Sequence, residues 1–198
     1  MIWFAFILGM LVVPLAIWPE RFLSTRLPNG LPIYLAWATI EEVLKYAAAA
    51  LFLFPRRAVD ESPDYVIYMV TVALGFAAAE NALFLLQPFS TGDILGGVVT
   101  DNMRFIGATL LHVIASSAIG FSLAFSYGKD HGRRVLYASL GLILAVVLHG
   151  AFNTLIIVGS GAKTLSAFLL VWSAAVIFFA LFEILKYLRY QRLPRNTC

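Results

Sequence analysis

The run IYLAWATIEEVLKYAAAALFLF, Ile33 to Phe54, decides the fold. At 1.5 Å per residue it makes a helix of about 33 Å, enough to cross a hydrocarbon core about 30 Å thick. Its only charged residues, Glu41, Glu42 and Lys45, fall near its centre. A charge at that depth costs at least about 2.5 to 3.5 kcal/mol, so these side chains are expected to face a protein interior rather than lipid.

Outward from this segment, five further apolar stretches fit the same dimension. The spans are expected at Ile2 to Trp18, Ile33 to Phe54, Tyr65 to Leu86, Met103 to Tyr127, Val135 to Val158 and Thr164 to Lys186. The 198-residue chain is 61% hydrophobic and 13% charged, with a mean hydropathy of +0.88. An ordinary soluble domain carries about 25% charged residues. The expected fold is therefore all-α, a polytopic transmembrane helical bundle of about six spans, with residues 1–198 forming a single transmembrane domain. The first span has neither a basic leading region nor a small-x-small cleavage site, and Pro19 and Glu20 follow it directly, so it reads as a retained anchor helix.

Several function classes drop out. The one cysteine, Cys198, cannot build a disulfide framework or a cysteine-ligated metal site. The net charge of +3 is spread over loops and the tail and forms no nucleic-acid-binding face. Those charges report orientation instead. Nine basic residues, Arg56, Arg57, Lys129, Arg133, Arg134, Lys186, Arg189, Arg192 and Arg195, share the side of the two termini, and four, Arg21, Arg26, Arg104 and Lys163, lie on the other. The positive-inside rule then places both termini in the cytoplasm of a multi-pass cell-membrane protein. The last cluster of basic residues would anchor the final helix at an anionic inner leaflet. The outward loop Gln87 to Asn102, with Gly92, Gly96 and Gly97 among apolar residues, is expected as a surface loop, with a mobile lid as the alternative.

Polar residues recur inside the other spans: Glu80 and Asn81, His112, and His149 with Asn153. Measured from the outer end of each helix, Glu41, Glu80, His112 and His149 lie at roughly 12, 9, 13 and 13 Å. Any one pair has a structural explanation, such as a Glu41–Lys45 ion pair or a His149–Asn153 clamp. Agreement in depth across four helices favours a common site in the outer half of the bilayer. Residues four apart share a helix face, so Glu41 with Lys45 and His149 with Asn153 can point inward together; Glu42 lies about 100° round from Glu41, so one of the two is expected to face the site while the other pairs with Lys45 or Arg104.

These residue types suit peptide hydrolysis without a covalent nucleophile. A glutamate can act as general base on water, and histidine and asparagine can donate to an oxyanion. No HExxH helix is present, the aspartates fall in loops or at helix ends, and the only GxSG-like run, at Gly159 to Gly161, lies in a loop with no histidine after it. A proton-coupled transporter would use similar residues, and a catalytically inactive membrane scaffold would share the groove; the first also predicts broken helices and inverted symmetry, neither of which the sequence contains.

Four motifs in order, EExxK at Glu41, Glu42 and Lys45, FxxxEN at Phe76, Glu80 and Asn81, His112 with Gly120, and HxxxN at His149 and Asn153, resemble those of the PrsW family of intramembrane proteases. That family is related to the CAAX-processing and bacteriocin-processing membrane proteases. The resemblance covers about Tyr34 to Leu155 and implies an endopeptidase cutting membrane-anchored proteins, in bacteria anti-sigma factors, near the extracytoplasmic side. It implies Glu41 as the water-activating base, Glu42 as its charged neighbour beside Lys45, and His112, His149 and Asn153 as transition-state donors, with Glu80 where the wider group carries histidine. Asn81, Lys45 and Arg104 would be supporting residues. A metal-free glutamic mechanism is favoured, and the alternative is a Zn²⁺ site on Glu80, His112 and His149.

Overall fold

The computed structural model describes residues 1–91, 94–157 and 161–192, and the side chains of 1–86, 106–156 and 165–189. Six helices run through them: α1 (Ile2–Ser24), α2 (Leu31–Phe52), α3 (Ser62–Thr91), α4 (Ile94–Phe125), α5 (His131–Ile157) and α6 (Gly161–Arg192). No strand occurs among the described residues. Five of the helices, all but α2, are long and apolar enough to cross a membrane. Helix α2 is of similar length, and it differs in carrying Glu41, Glu42 and Lys45, all buried.

Two boundaries differ from the sequence expectation. Helix α1 continues through Pro14 and Pro19 to Ser24, so Glu20 lies on the helix rather than after it. Proline inside a membrane helix is tolerated where neighbouring helices and side chains take up the freed backbone groups. Near the end of α1 the side chain of Trp37 reaches across from α2 towards the Glu20 carbonyl oxygen, at 3.4 Å, and Ser24 Oγ, at 3.3 Å. The second difference is at the expected loop Gln87 to Asn102, most of which is helical: α3 runs to Thr91 and α4 starts at Ile94. Residues 92 and 93, and the side chains of 87–105, lie outside the described residues, and the lid expectation and the Arg104 side chain lie there with them.

Helices α1 to α5 close a ring in the spatial order α1, α3, α4, α5, α2, and α6 packs outside against α4 and α5. The α1–α3 crossing is close because both helices offer glycine. A Cβ on Gly75 would overlap the Phe6 carbonyl oxygen, and one on Gly9 that of Val72. Small residues at such crossings let membrane helices approach without a hydrophobic drive to associate.

The ring is filled unevenly along its length. At the end where α1 begins and α6 ends, Ala5, Leu53, Met69, Val72, Ala118 and Ile119 are buried in one apolar cluster. Arg134 donates to the Tyr65 hydroxyl at 2.9 Å near that end, and Arg189 pairs with Glu61. The opposite half is open inside, and the polar residues lie where the packed and open halves meet.

Candidate active site

Helix α2 carries the centre of the site. Glu41 and Lys45 share one of its faces, and Glu42 sits beside them, so the helix turns all three charges inwards. Lys45 is fully buried, at 0% exposure. Its ammonium donates to Glu42 Oε1 at 2.7 Å, to His112 Nδ1 at 2.8 Å and to Glu41 Oε2 at 3.5 Å. Its three N–H groups thus have three acceptors, and the face of the Phe76 ring lies 4.0 Å from Nζ.

Glu42 is the hub behind the cavity. Besides Lys45, its Oε1 accepts from His149 Nδ1 at 3.1 Å, and its Oε2 accepts from Ser116 Oγ at 2.8 Å. Because a carboxylate only accepts, His149 carries its proton on Nδ1 and turns the Nε2 lone pair towards Glu41 Oε2, 3.9 Å away. Two lone-pair acceptors at that separation can each take one O–H of the same water molecule.

His112 is committed at both ring nitrogens. Lysine can only donate, so Nδ1 accepts from Lys45, and Nε2–H donates to Glu80 Oε2 at 2.8 Å. The edge of the Phe76 ring, at 5.1 Å between centroids, and that of His149, at 5.0 Å, hold the imidazole in place. One relay of contacts therefore runs from α2 through α4 to α3.

A cavity of about 1000 Å³ opens onto these residues. Glu41, Glu80, His112, His149 and Asn153 all line it, while Glu42 and Lys45 lie behind Glu41. Its remaining wall is largely apolar, with Val13, Leu83, Leu111, Phe152 and Phe168 among the lining. Asn81 does not reach it; that side chain donates to Thr109 Oγ1 at 3.1 Å and ties α3 to α4. The structure thus brings together Glu41, Glu42, Lys45, Glu80, His112, His149 and Asn153, and sets Asn81 to one side.

Two residues of the site were not singled out from the sequence. Ser116 is one turn on from His112 and so shares its face, a spacing that marks it in retrospect. Glu20 lines the cavity from α1, and its Oε1 is buried without a hydrogen-bond partner among the described residues. A first span that ends at Trp18 leaves Glu20 outside it, which hides its place in the site.

Glu41, His112 and His149 form a group whose ligand atoms lie within 4.8 Å of one another. This replaces the expected set with Glu80, which instead sits on the far nitrogen of His112. Two histidines and a carboxylate match a zinc site in number and type. The arrangement does not match it, because both His112 nitrogens are taken, Nδ1 by Lys45 and Nε2 by Glu80.

The family described as PrsW family intramembrane metalloprotease matches residues 1–184. Similar proteins include Protease PrsW of Shouchella clausii (strain KSM-K16), 27% identical over 152 residues, or 75% of this chain and 66% of the relative. Protease PrsW of Bacillus subtilis (strain 168) is 28% identical over 120 residues, 61% of this chain and 51% of the relative. That of Geobacillus kaustophilus (strain HTA426) is 30% identical over 125 residues, 63% and 51% respectively. The matched region thus spans between half and two thirds of those relatives. No solved structure matches the chain. With nearly its whole length matched, the chain belongs to the PrsW family of intramembrane proteases.

Proposed function

We propose that this protein is an intramembrane endopeptidase that hydrolyses peptide bonds of membrane-anchored proteins, with Glu41 as the base that activates water. The observation that carries the reading is the opposition of Glu41 Oε2 and His149 Nε2, at 3.9 Å, on the wall of a largely apolar cavity of about 1000 Å³. An apolar wall suits an entering transmembrane segment, and a polar pair at its inner end suits one water molecule.

The chemistry follows from the hydrogen-bond directions. Water placed between Glu41 and His149 gives one O–H to each and turns a lone pair to the scissile carbonyl carbon. Glu41 takes the proton as the C–O bond forms, and Asn153, on the same face of α5 as His149, donates to the oxyanion. Glu41 then returns the proton to the leaving nitrogen as the C–N bond breaks, releasing one carboxyl and one amine product. Glu42 fixes the tautomer of His149, and His112 holds Lys45 and Glu80 in position.

The family description implies a metal, and as the side chains stand His112, with both nitrogens taken, offers it no lone pair, which leaves Glu41 and His149 one short of the three protein ligands of a catalytic zinc site. The donor set therefore favours the glutamic route.

Loop charges support cytoplasmic termini, which puts the open half of the ring towards the extracytoplasmic side. The resemblance supports an anti-sigma factor as the substrate. The test is cleavage of a reconstituted single-span substrate by wild type and Glu41→Gln: the variant is expected to lose activity by roughly 100- to 10,000-fold.

A further inference from the structure

We propose that Lys45 is the resident cation of this centre, and that its ammonium and a divalent metal exclude each other at the Glu41, His112 and His149 donors. The inference concerns what the donor set can bind and does not depend on the reaction.

The ammonium is coordinated as an ion would be. It is fully buried, meets Glu42 Oε1, His112 Nδ1 and Glu41 Oε2 at 2.7, 2.8 and 3.5 Å, and lies against the Phe76 ring. Of these, the Glu41 and His112 residues also belong to the group that could hold a metal. A neutral imidazole with Nε2–H given to Glu80 has one lone pair left, on Nδ1. A zinc ion would use that lone pair at about 2.0 to 2.1 Å. Lys45 uses it at 2.8 Å, so the two cations compete for a single electron pair.

Local geometry makes the lysine hard to displace. It lies three residues from Glu42 and four from Glu41 on the same helix, so its approach to both is set by helix pitch. Leaving would take from the buried charge of Glu42 its one ammonium partner among the described residues, with His149 and Ser116 left to hold it. Removing the ammonium by substitution leaves Glu41, His112 and His149 with ligand atoms close enough to share an ion.

Binding of Co²⁺, which gives a visible absorption band on tetrahedral nitrogen and oxygen donors, tests this on the purified full-length protein. Wild type is expected to bind Co²⁺ weakly and without that band. Lys45→Met and Lys45→Gln should bind it more tightly, by roughly 10- to 100-fold, with the band, and adding His149→Ala should abolish the gain. Tight stoichiometric binding by wild type that His149→Ala removes would overturn the proposal, whatever the fold of the Lys45 variants. So would folded Lys45 variants, checked by circular dichroism, that bind no better than wild type.

Discussion

Ser116 on α4 donates its hydroxyl to Glu42 Oε2 on α2 over 2.8 Å, and this contact completes a carboxylate that already holds Lys45 and His149. Glu42 is 0% exposed, so every one of its partners is needed to offset its desolvation. Adjacent residues thus differ in setting: Glu42 faces the protein and Glu41 the cavity.

The division predicts opposite phenotypes. Glu42→Ala strands the buried Lys45 ammonium and should lower stability by about 3 to 5 kcal/mol. Glu41→Gln should leave the melting temperature close to wild type and remove cleavage. Thermal unfolding of both variants in detergent, beside a cleavage assay, checks the pair.

Ser116→Ala removes one hydrogen bond to a charged, buried oxygen. A loss of about 1.5 to 3 kcal/mol is expected. Cleavage at a temperature where the variant stays folded should fall far less than in Glu41→Gln, because Ser116 touches neither the cavity nor Glu41.

Gly75→Ala tests the α1–α3 crossing. The added methyl meets the Phe6 carbonyl oxygen, a backbone atom that can yield only if α1 shifts. Destabilisation of about 1 to 3 kcal/mol is expected. Because α1 carries Glu20 into the cavity, the shift should also reduce cleavage; loss of stability with full activity would separate α1 from the site.

Orientation is tested by labelling. Engineered cysteines at Leu95 and Gly161 should react with an impermeant reagent from outside the cell, and one at Arg57 only after the membrane is opened. The reverse pattern would place the cavity on the cytoplasmic side.

Much of this architecture was legible in the sequence because bilayer thickness fixes helix length and burial forbids idle charge. Apolar runs of span length gave the helices, and the shared depth of Glu41, Glu80, His112 and His149 gave their meeting place. What spacing could not give was direction at each nitrogen and oxygen. Glu41 and Glu42 are adjacent on one helix, and only packing against Ser116 and His149 shows which of them is enclosed. Likewise, the metal-capable group contains Glu41 rather than Glu80 because α3 sets Glu80 on the outer nitrogen of His112. Glu20 stayed hidden because a proline was read as the end of a helix that continues past it.

The pairing of Glu41 and His149 about one water molecule is the centre of the proposed mechanism, and single-turnover cleavage of a membrane-anchored substrate in liposomes tests it most directly. Wild type should cut the substrate within its membrane-proximal region, while Glu41→Gln and His149→Ala, each folded by thermal melt, should each lose at least about 100-fold. Cleavage at the wild-type rate by either folded variant would contradict it.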